Sequence, residues 1–431
     1  MEVLINPPRS SWEFLVQRPV MDPSELEQRV RKILEAVKVA GDSALLDFTE
    51  RFDGIRPASL PIHIENPQAI ASQLSPSLRE AIGVARNNIE AFHRTQQEPI
   101  QKVETMPGVY CWRKSLPIDA VGLYIPGGTA PLFSTILMLA VPAKIAGCPK
   151  VVLCTPPNKE GHIHPAILYT AHILGIEEVF PIGGAQAVAA MAYGTESVPK
   201  VDKIFGPGNQ YVTLAKQLVS QEGTAIDMPA GPSEVAVVAD ETVPANFIAA
   251  DLLSQAEHGV DSQVFFVTNS ESYVGEVQME IAKQLHHLPR AAFAEKALAN
   301  SKAIVLDSEA DQIDLINAYA PEHLILSLER WEEFSEGIRN AGSVFLGPYT
   351  PESVGDYASG TNHTLPTNGY ARAYSGVSLD SFIKKITFQH LTAQGIRRLG
   401  PVVEHMAKGE ELDAHFQAVR VRLEELNNPK E

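Results

Sequence analysis

A small set of side chains in this sequence could bind a divalent cation and move a proton. Gln255-Ala-Glu-His258 falls in the run DLLSQAEHG, whose apolar spacing predicts a helix. The i,i+3 separation puts Gln255 and His258 on one face. Asp356 lies in a long irregular stretch and His415 in a helical C-terminal run. Imidazoles with a carboxylate and an amide oxygen suit Zn²⁺ or a similar divalent ion, with positions left for substrate. The chain has 13 histidines, so this set is one selection among many, and a lone helical histidine often only packs.

Glu322 and His323 close the helical run DQIDLINAYAPEH just before HLILSLE. Side by side at an element boundary, they form an acid/base pair if both face one cleft, and otherwise cap or solvate the helix end. His363 shares the irregular stretch of Asp356. Met228-Pro-Ala-Gly-Pro-Ser-Glu234 is a stiff turn, either a hinge or a substrate wall. Cys148 and Cys154 have no neighbouring cation to favour a thiolate, so both read as packing residues. With Cys111 they form an odd set without metal-type spacing, which fits a reduced, cytoplasmic, disulfide-free protein.

The elements that position these residues follow from periodicity. Residues 24–53 and 78–97 are helical, with Gly41 ending one helix before Asp42 or Ser43 caps the next. From about residue 118 short β-branched runs alternate with helices, through KVVLCTP, EEVFPIGG and KVDKIFGPG. A second series runs through SEVAVVAD, SQVFFVTN, KAIVLDS, HLILSLE and GSVFLG. Such alternation implies right-handed crossovers and parallel sheets buried on both faces. The expected fold is α/β, with two doubly wound, Rossmann-like parallel-sheet lobes, a helical N-terminal segment and a helical C-terminal dimerisation arm. The expected division is residues 1–23, an N-terminal segment; 24–117 with 236–379, a lobe carrying the metal and catalytic residues; 118–235, a nucleotide lobe; and 380–431, the arm.

No GxGxxG fingerprint occurs. YIPGGTA (124–130), IGGAQA (182–187) and FGPGNQ (205–210) instead end predicted strands. Ligands bind at that edge of open α/β sheets, and helix starts offer N–H groups to phosphate. Glycine also simply closes such turns, but three in one lobe would rim a single crevice. The irregular segment 347–377 is long enough to be a functional loop.

A net charge of −17, from 35 basic and 52 acidic residues, argues against nucleic acid or an anionic membrane as partner. The start MEVLINPPRSSWEFLVQRP has no apolar run behind a basic one, so no secretory leader is expected. No apolar stretch approaches ~18 residues. A metallohydrolase and a two-lobed binding protein remain alternatives on these residues alone. Reduced nicotinamide on mixing with an alcohol substrate would exclude the hydrolase, and turnover would exclude the binding protein.

Taken in order, AVGLYIPGG, IGGAQA, GPGN, DMPAGPSE, DLLSQAEHG, YAPEHL and GDYASGTNHTLPT resemble the histidinol dehydrogenase family over about residues 10–425. The resemblance implies oxidation of L-histidinol through L-histidinaldehyde to L-histidine, with NAD reduced twice. It implies one Zn²⁺ per subunit held by Gln255, His258, Asp356 and His415, with Glu322 and His323 as the catalytic pair. Ser233, His363 and Glu410 would join the metal ligands and His323 in contacting substrate, and Tyr124, Gln186 and Asn209 would line the NAD site. It further implies a homodimer whose C-terminal arm brings Glu410 and His415 to the other subunit's site.

Overall fold

The runs VAVVA, VFFVT and LIL are apolar at every position, and a strand hides both its faces only between two layers of helix. The computed structural model describes residues 1–18, 23–127, 130–229 and 231–427. Gly128 and Thr129 of the first glycine turn, and Ala230 of the stiff turn, lie outside the described residues.

In chain order the principal elements begin with β1 (Glu2–Ile5), α1 (Pro23–Asp53), β2 (Ile62–His63), α2 (Pro76–Arg94), β3 (Lys102–Met106) and β4 (Val109–Pro117). There follow β5 (Ala120–Tyr124), α3 (Phe133–Ala146), β6 (Lys150–Cys154), α4 (Pro165–Ile173), β7 (Glu178–Phe180) and α5 (Gly184–Tyr193). Next come β8 (Lys203–Phe205), α6 (Gln210–Gln221), β9 (Ala225–Ile226), β10 (Glu234–Ala239), α7 (Ala245–Ala256) and β11 (Gln263–Thr268). The chain continues through α8 (Glu271–Leu285), β12 (Lys302–Val305), α9 (Glu309–Tyr319), β13 (His323–Ser327) and β14 (Ser343–Leu346). It ends with α10 (Glu352–Tyr357), β15 (Ile383–Leu391), α11 (Ala393–Gly409) and α12 (Asp413–Asn427).

These elements form two compact units, Met1–Gln96 with Ile118–Phe382, and Gln97–Pro117 with Ile383–Glu431. The first unit holds two doubly wound sheets. One has the order β2-β7-β6-β5-β8-β9, parallel except for β2. The other, β1-β12-β11-β10-β13-β14, is parallel throughout. Alternate side chains serve opposite faces. Val235 and Val237 pack with Ile248 and Leu252 of α7, while Ala236 and Val238 pack with Leu315 and Ile316 of α9.

Three boundaries depart from the sequence-based expectation. The lead-in helices cover the sheet of the glycine turns rather than the β10 sheet: α1 packs on α5 and α6, and α2 packs on α3. The cause is the apolar stripe Val30, Ile33, Leu34 and Val37, buried among α5 side chains. The N-terminal segment is not separate, because β1 extends the β10 sheet beside β12. Finally, residues 383–391 are not part of a helical arm but a strand, antiparallel to β4.

That strand belongs to the second unit, where β15-β4-β3 form an antiparallel sheet. Cross-strand aromatic pairs set its register, with Trp112 stacked on Phe388 at 5.6 Å and Tyr110 on His390 at 6.3 Å. The hairpin turns at Pro107-Gly108. Helices α11 and α12 follow and pack on one another, Leu423 and Val419 lying against Gly400.

Candidate active site and metal centre

The two sheets present opposite edges to one cavity. The glycine turns leave the carboxyl ends of β5, β7 and β8. Glu322 and His323 stand at the amino end of β13, in register with Glu234 and Val235 of β10. Helix α7 runs back against β10 and so returns Gln255, in its last turn, to that same amino edge; His258, expected on the helix, lies two residues past its end. A cavity of about 340 Å³ is lined by Gly206 and Asn209 from one side and by Gln255, Glu322, His323 and Asp356 from the other.

Sequence reading placed Asp356 in an irregular loop; it lies instead on the short helix α10. Gly355 permits the close approach of that helix, since a Cβ there would meet the Phe345 ring at 2.5 Å. One turn earlier on α10 is Glu352, only 1% exposed, which sequence reading missed. The available signal was the i,i+4 spacing of Glu352 and Asp356 behind Pro351, a helix start.

Around the His323 ring three carboxyl groups converge. Asp356 Oδ1 is 3.3 Å from Nε2, while Glu322 Oε2 and Glu352 Oε1 are 3.7 and 4.0 Å from Nδ1. Burial opposes a charge on His323, but Glu352, Glu322 and Asp356 together hold its proton well above the usual imidazole range. Burial pushes Glu322 and Glu352 up to about 8. It would also raise Asp356, yet His323, His363 and His258 keep that carboxyl below its ordinary value. His258 reaches the open cavity; loss of water around the ring lowers its pKa, and Asp356 opposes this. His363 donates from Nδ1 to the Asp356 carbonyl at 2.9 Å, leaving Nε2 to accept from the Thr135 hydroxyl at 3.2 Å.

The donor chemistry fits a divalent cation. Ligand atoms of His258, Glu352 and Asp356 lie within 4.8 Å of one another. Gln255 is 0% exposed, and neither its Oε1 nor its Nε2 has a hydrogen-bond partner. An unmet buried polar group costs about 1–3 kcal/mol, so such an amide beside clustered carboxylates points to a ligand. Glu352 Oε2 is likewise unpartnered.

Among the residues expected at a cofactor, Tyr124 is buried and its hydroxyl accepts the Gly184 N–H at 3.1 Å. Burial pushes that phenol up to about 12. Gln186 is 1% exposed with Oε1 unpartnered. Asn209 caps α6 through the N–H groups of Tyr211 and Val212. The loop before it is pinned from below, because Lys216 pairs with Asp227 and donates to the Gly206 carbonyl at 2.8 Å. Only glycine fits at 206, where φ is +125° and a Cβ would lie 2.0 Å from the Tyr124 carbonyl oxygen. Ser233 also lines the cavity. Glu410 and His415 belong to the second unit, and both are exposed there.

Asp251, one turn before Gln255, gives a stability prediction. Burial raises its carboxyl to about 7. A group that keeps its proton longer when folded contributes stability that is complete below its unfolded pKa of ~3.9 and is lost as pH rises through the folded value. Asp251→Asn mimics the protonated form. The melting temperature of the variant should therefore fall less than that of the wild type between about pH 5 and pH 8. Parallel declines would show that Asp251 keeps an ordinary pKa.

Comparison with known proteins agrees with this geometry. The sequence profile of the family described as histidinol dehydrogenase matches residues 16–423. A histidinol dehydrogenase of Bacteroides thetaiotaomicron is 57% identical over 426 residues, covering 99% of this chain and 100% of the relative. One of Vibrio cholerae is 54% identical over 417 residues, with 96% of each chain covered. The crystal structure of histidinol dehydrogenase from Elizabethkingia anophelis superposes with a TM-score of 0.96 at 54% identity, covering 99% of both chains. Full-length likeness at this identity settles membership: the chain belongs to the histidinol dehydrogenase family, NAD-dependent oxidoreductases of histidine biosynthesis.

Proposed function

We propose that the chain oxidises L-histidinol through L-histidinaldehyde to L-histidine, reducing NAD twice at the cavity described above. The observation that carries this reading is the wholly unpartnered, buried Gln255 beside the imidazole–carboxylate cluster and the Glu322–His323 pair. Zn²⁺ would be held by Gln255, His258 and Asp356, completed by His415 of the partner subunit in a homodimer. When bound, the ion supplies a template for two substrate nitrogens and a positive charge that offsets the carboxylates around His323.

The residues of the chain do the proton work. His323 takes the hydroxyl proton as hydride passes from the carbinol carbon to the nicotinamide. Glu322 then accepts a proton from water as its oxygen attacks the aldehyde, giving the hydrate. His323 takes a hydroxyl proton from that hydrate as the second hydride leaves, and the carboxylic acid results. Ser233, His363 and Glu410 of the partner subunit would hold the substrate. Tyr124, Gln186 and Asn209 would line the NAD site, near the starts of α5 and α6, whose dipoles favour an anion.

We infer a cytoplasmic location, which fits the three cysteines being free. No helix among the described residues is long and apolar enough to cross a membrane.

Chelation tests the metal assignment. Purified protein should carry about one Zn²⁺ per chain, and stripping it should abolish NAD reduction with histidinol until zinc is restored. Because Glu322, Glu352 and His323 share protons when no cation is present, titrating zinc into stripped protein near neutral pH should release protons to a dye. Full activity in zinc-free protein would overturn the ligand set.

A further inference from the structure

We propose that Arg18 and Glu234 form a clamp whose task is to aim the Glu322 carboxylate, making both of them positioning residues of the reaction. The proposal rests on Glu322 being the base of the aldehyde step.

Glu322 is 6% exposed, and its Oε2 accepts the backbone N–H of Glu234 at 3.0 Å. The direction of the carboxylate therefore depends on where the first residue of β10 is held. The Glu234 side chain, 1% exposed, turns to Arg18 and accepts two parallel bonds, from Nε at 2.8 Å and Nη2 at 2.7 Å. Paired forks of this kind fix orientation as well as distance. The other face of the Arg18 guanidinium lies 3.7 Å from the Tyr319 ring centroid, a cation–π contact. Tyr319 is immobilised in turn: it is fully buried, stacks on Phe265 at 4.3 Å, and donates to Gln263 Oε1 at 2.8 Å.

Tyr319 is also the last residue of α9, and the left-handed turn at Ala320 (φ +52°) leads from it directly into Glu322. One guanidinium thus grips both strand ends that determine where Glu322 points. Arg18 is not among the residues that line the cavity; it also donates to the Val16 carbonyl at 3.0 Å, and its side chain is 9% exposed. A buried ion pair is a poor way to gain stability, because apolar side chains of similar volume often do as well. A fork that fixes a backbone N–H beside a reactive carboxylate has a use that an apolar pair lacks.

The test is a mutant cycle with both oxidations assayed separately, supplying histidinol or histidinaldehyde with NAD. Arg18→Met combined with Glu234→Gln leaves no unpaired buried charge. It should slow aldehyde oxidation roughly 10-fold, as small misplacements of a reacting group do, while alcohol oxidation and zinc content stay near wild type. Added to Glu322→Gln, the same pair of changes should have no further effect. If the double variant fails to fold, Arg18→Lys carries the test, since it keeps the charge and loses the fork.

Slowing of the two oxidations in a ratio different from that of Glu322→Gln, or full additivity with Glu322→Gln, would overturn the clamp. The cycle reads positioning whichever step Glu322 serves. Equal slowing of both oxidations by Glu322→Gln alone would refute only its assignment to the aldehyde step. A normal split in Glu322→Gln with additive pair effects would refute only the clamp.

Discussion

Replacing His323 by alanine should lower turnover of both histidinol and histidinaldehyde by roughly 10²–10⁴-fold, the usual contribution of a positioned general base. The ring is 4% exposed, and its two nitrogens face the carboxyl groups of Asp356, Glu322 and Glu352. Each oxidation removes hydride from a carbon that bears a hydroxyl, so each needs an acceptor for the hydroxyl proton. In the proposed sequence the same ring serves twice. Glu322→Gln should spare the first oxidation, because no water is activated there.

The acid limb of the pH profile follows from the same surroundings. The three carboxyl groups hold a proton on His323, and a base works only after losing it, so kcat should rise with pH through the pKa of His323. That limb should be absent from the residual activity of His323→Ala. Stopped-flow measurement of each half-reaction with zinc content in parallel decides the matter. A His323→Ala protein that loses one oxidation and keeps the other would show that the two steps use different bases.

Mixing two inactive proteins, His323→Ala and His415→Ala, should restore activity. If the arm of one subunit completes the site of the other, a heterodimer of these chains has one site with both defects and one intact site. Random exchange makes half of the dimers mixed, so recovery should approach roughly a quarter of wild-type activity. Mass spectrometry of the exchanged dimers supplies the control. Verified heterodimers without activity would place His415 in the site of its own chain.

Much of the first unit was legible because the relevant signals are local. Alternation of β-branched runs with helices announced both sheets, and helical spacing announced the helix that carries Gln255, though His258 lies just past its end. Adjacency alone marked Glu322 and His323. What was not legible depends on contacts far apart in sequence. Glu352 acquires its interest only when Gly355 lets α10 close on Phe345. The β15 strand forms because Phe388 and His390 find Trp112 and Tyr110 across more than two hundred residues of chain. Arg18 reads as an unremarkable basic residue until Glu234 and Tyr319 are folded around it. The edge rule for α/β sheets predicts the glycine-turn side of the cavity and says nothing of residues returned to an amino edge by a helix end.

That arrangement of edges gives the crevice a built-in electrical polarity. On the α6 side it meets the positive pole of a helix, and on the α7 side a negative pole, each equivalent to about half an elementary charge. Backbone alone thus favours an anion at one wall and a cation at the other, before any carboxylate or imidazole contributes. Transplanting the ligand side chains onto a scaffold whose helices point the other way would lose this bias, even with every donor atom correctly spaced.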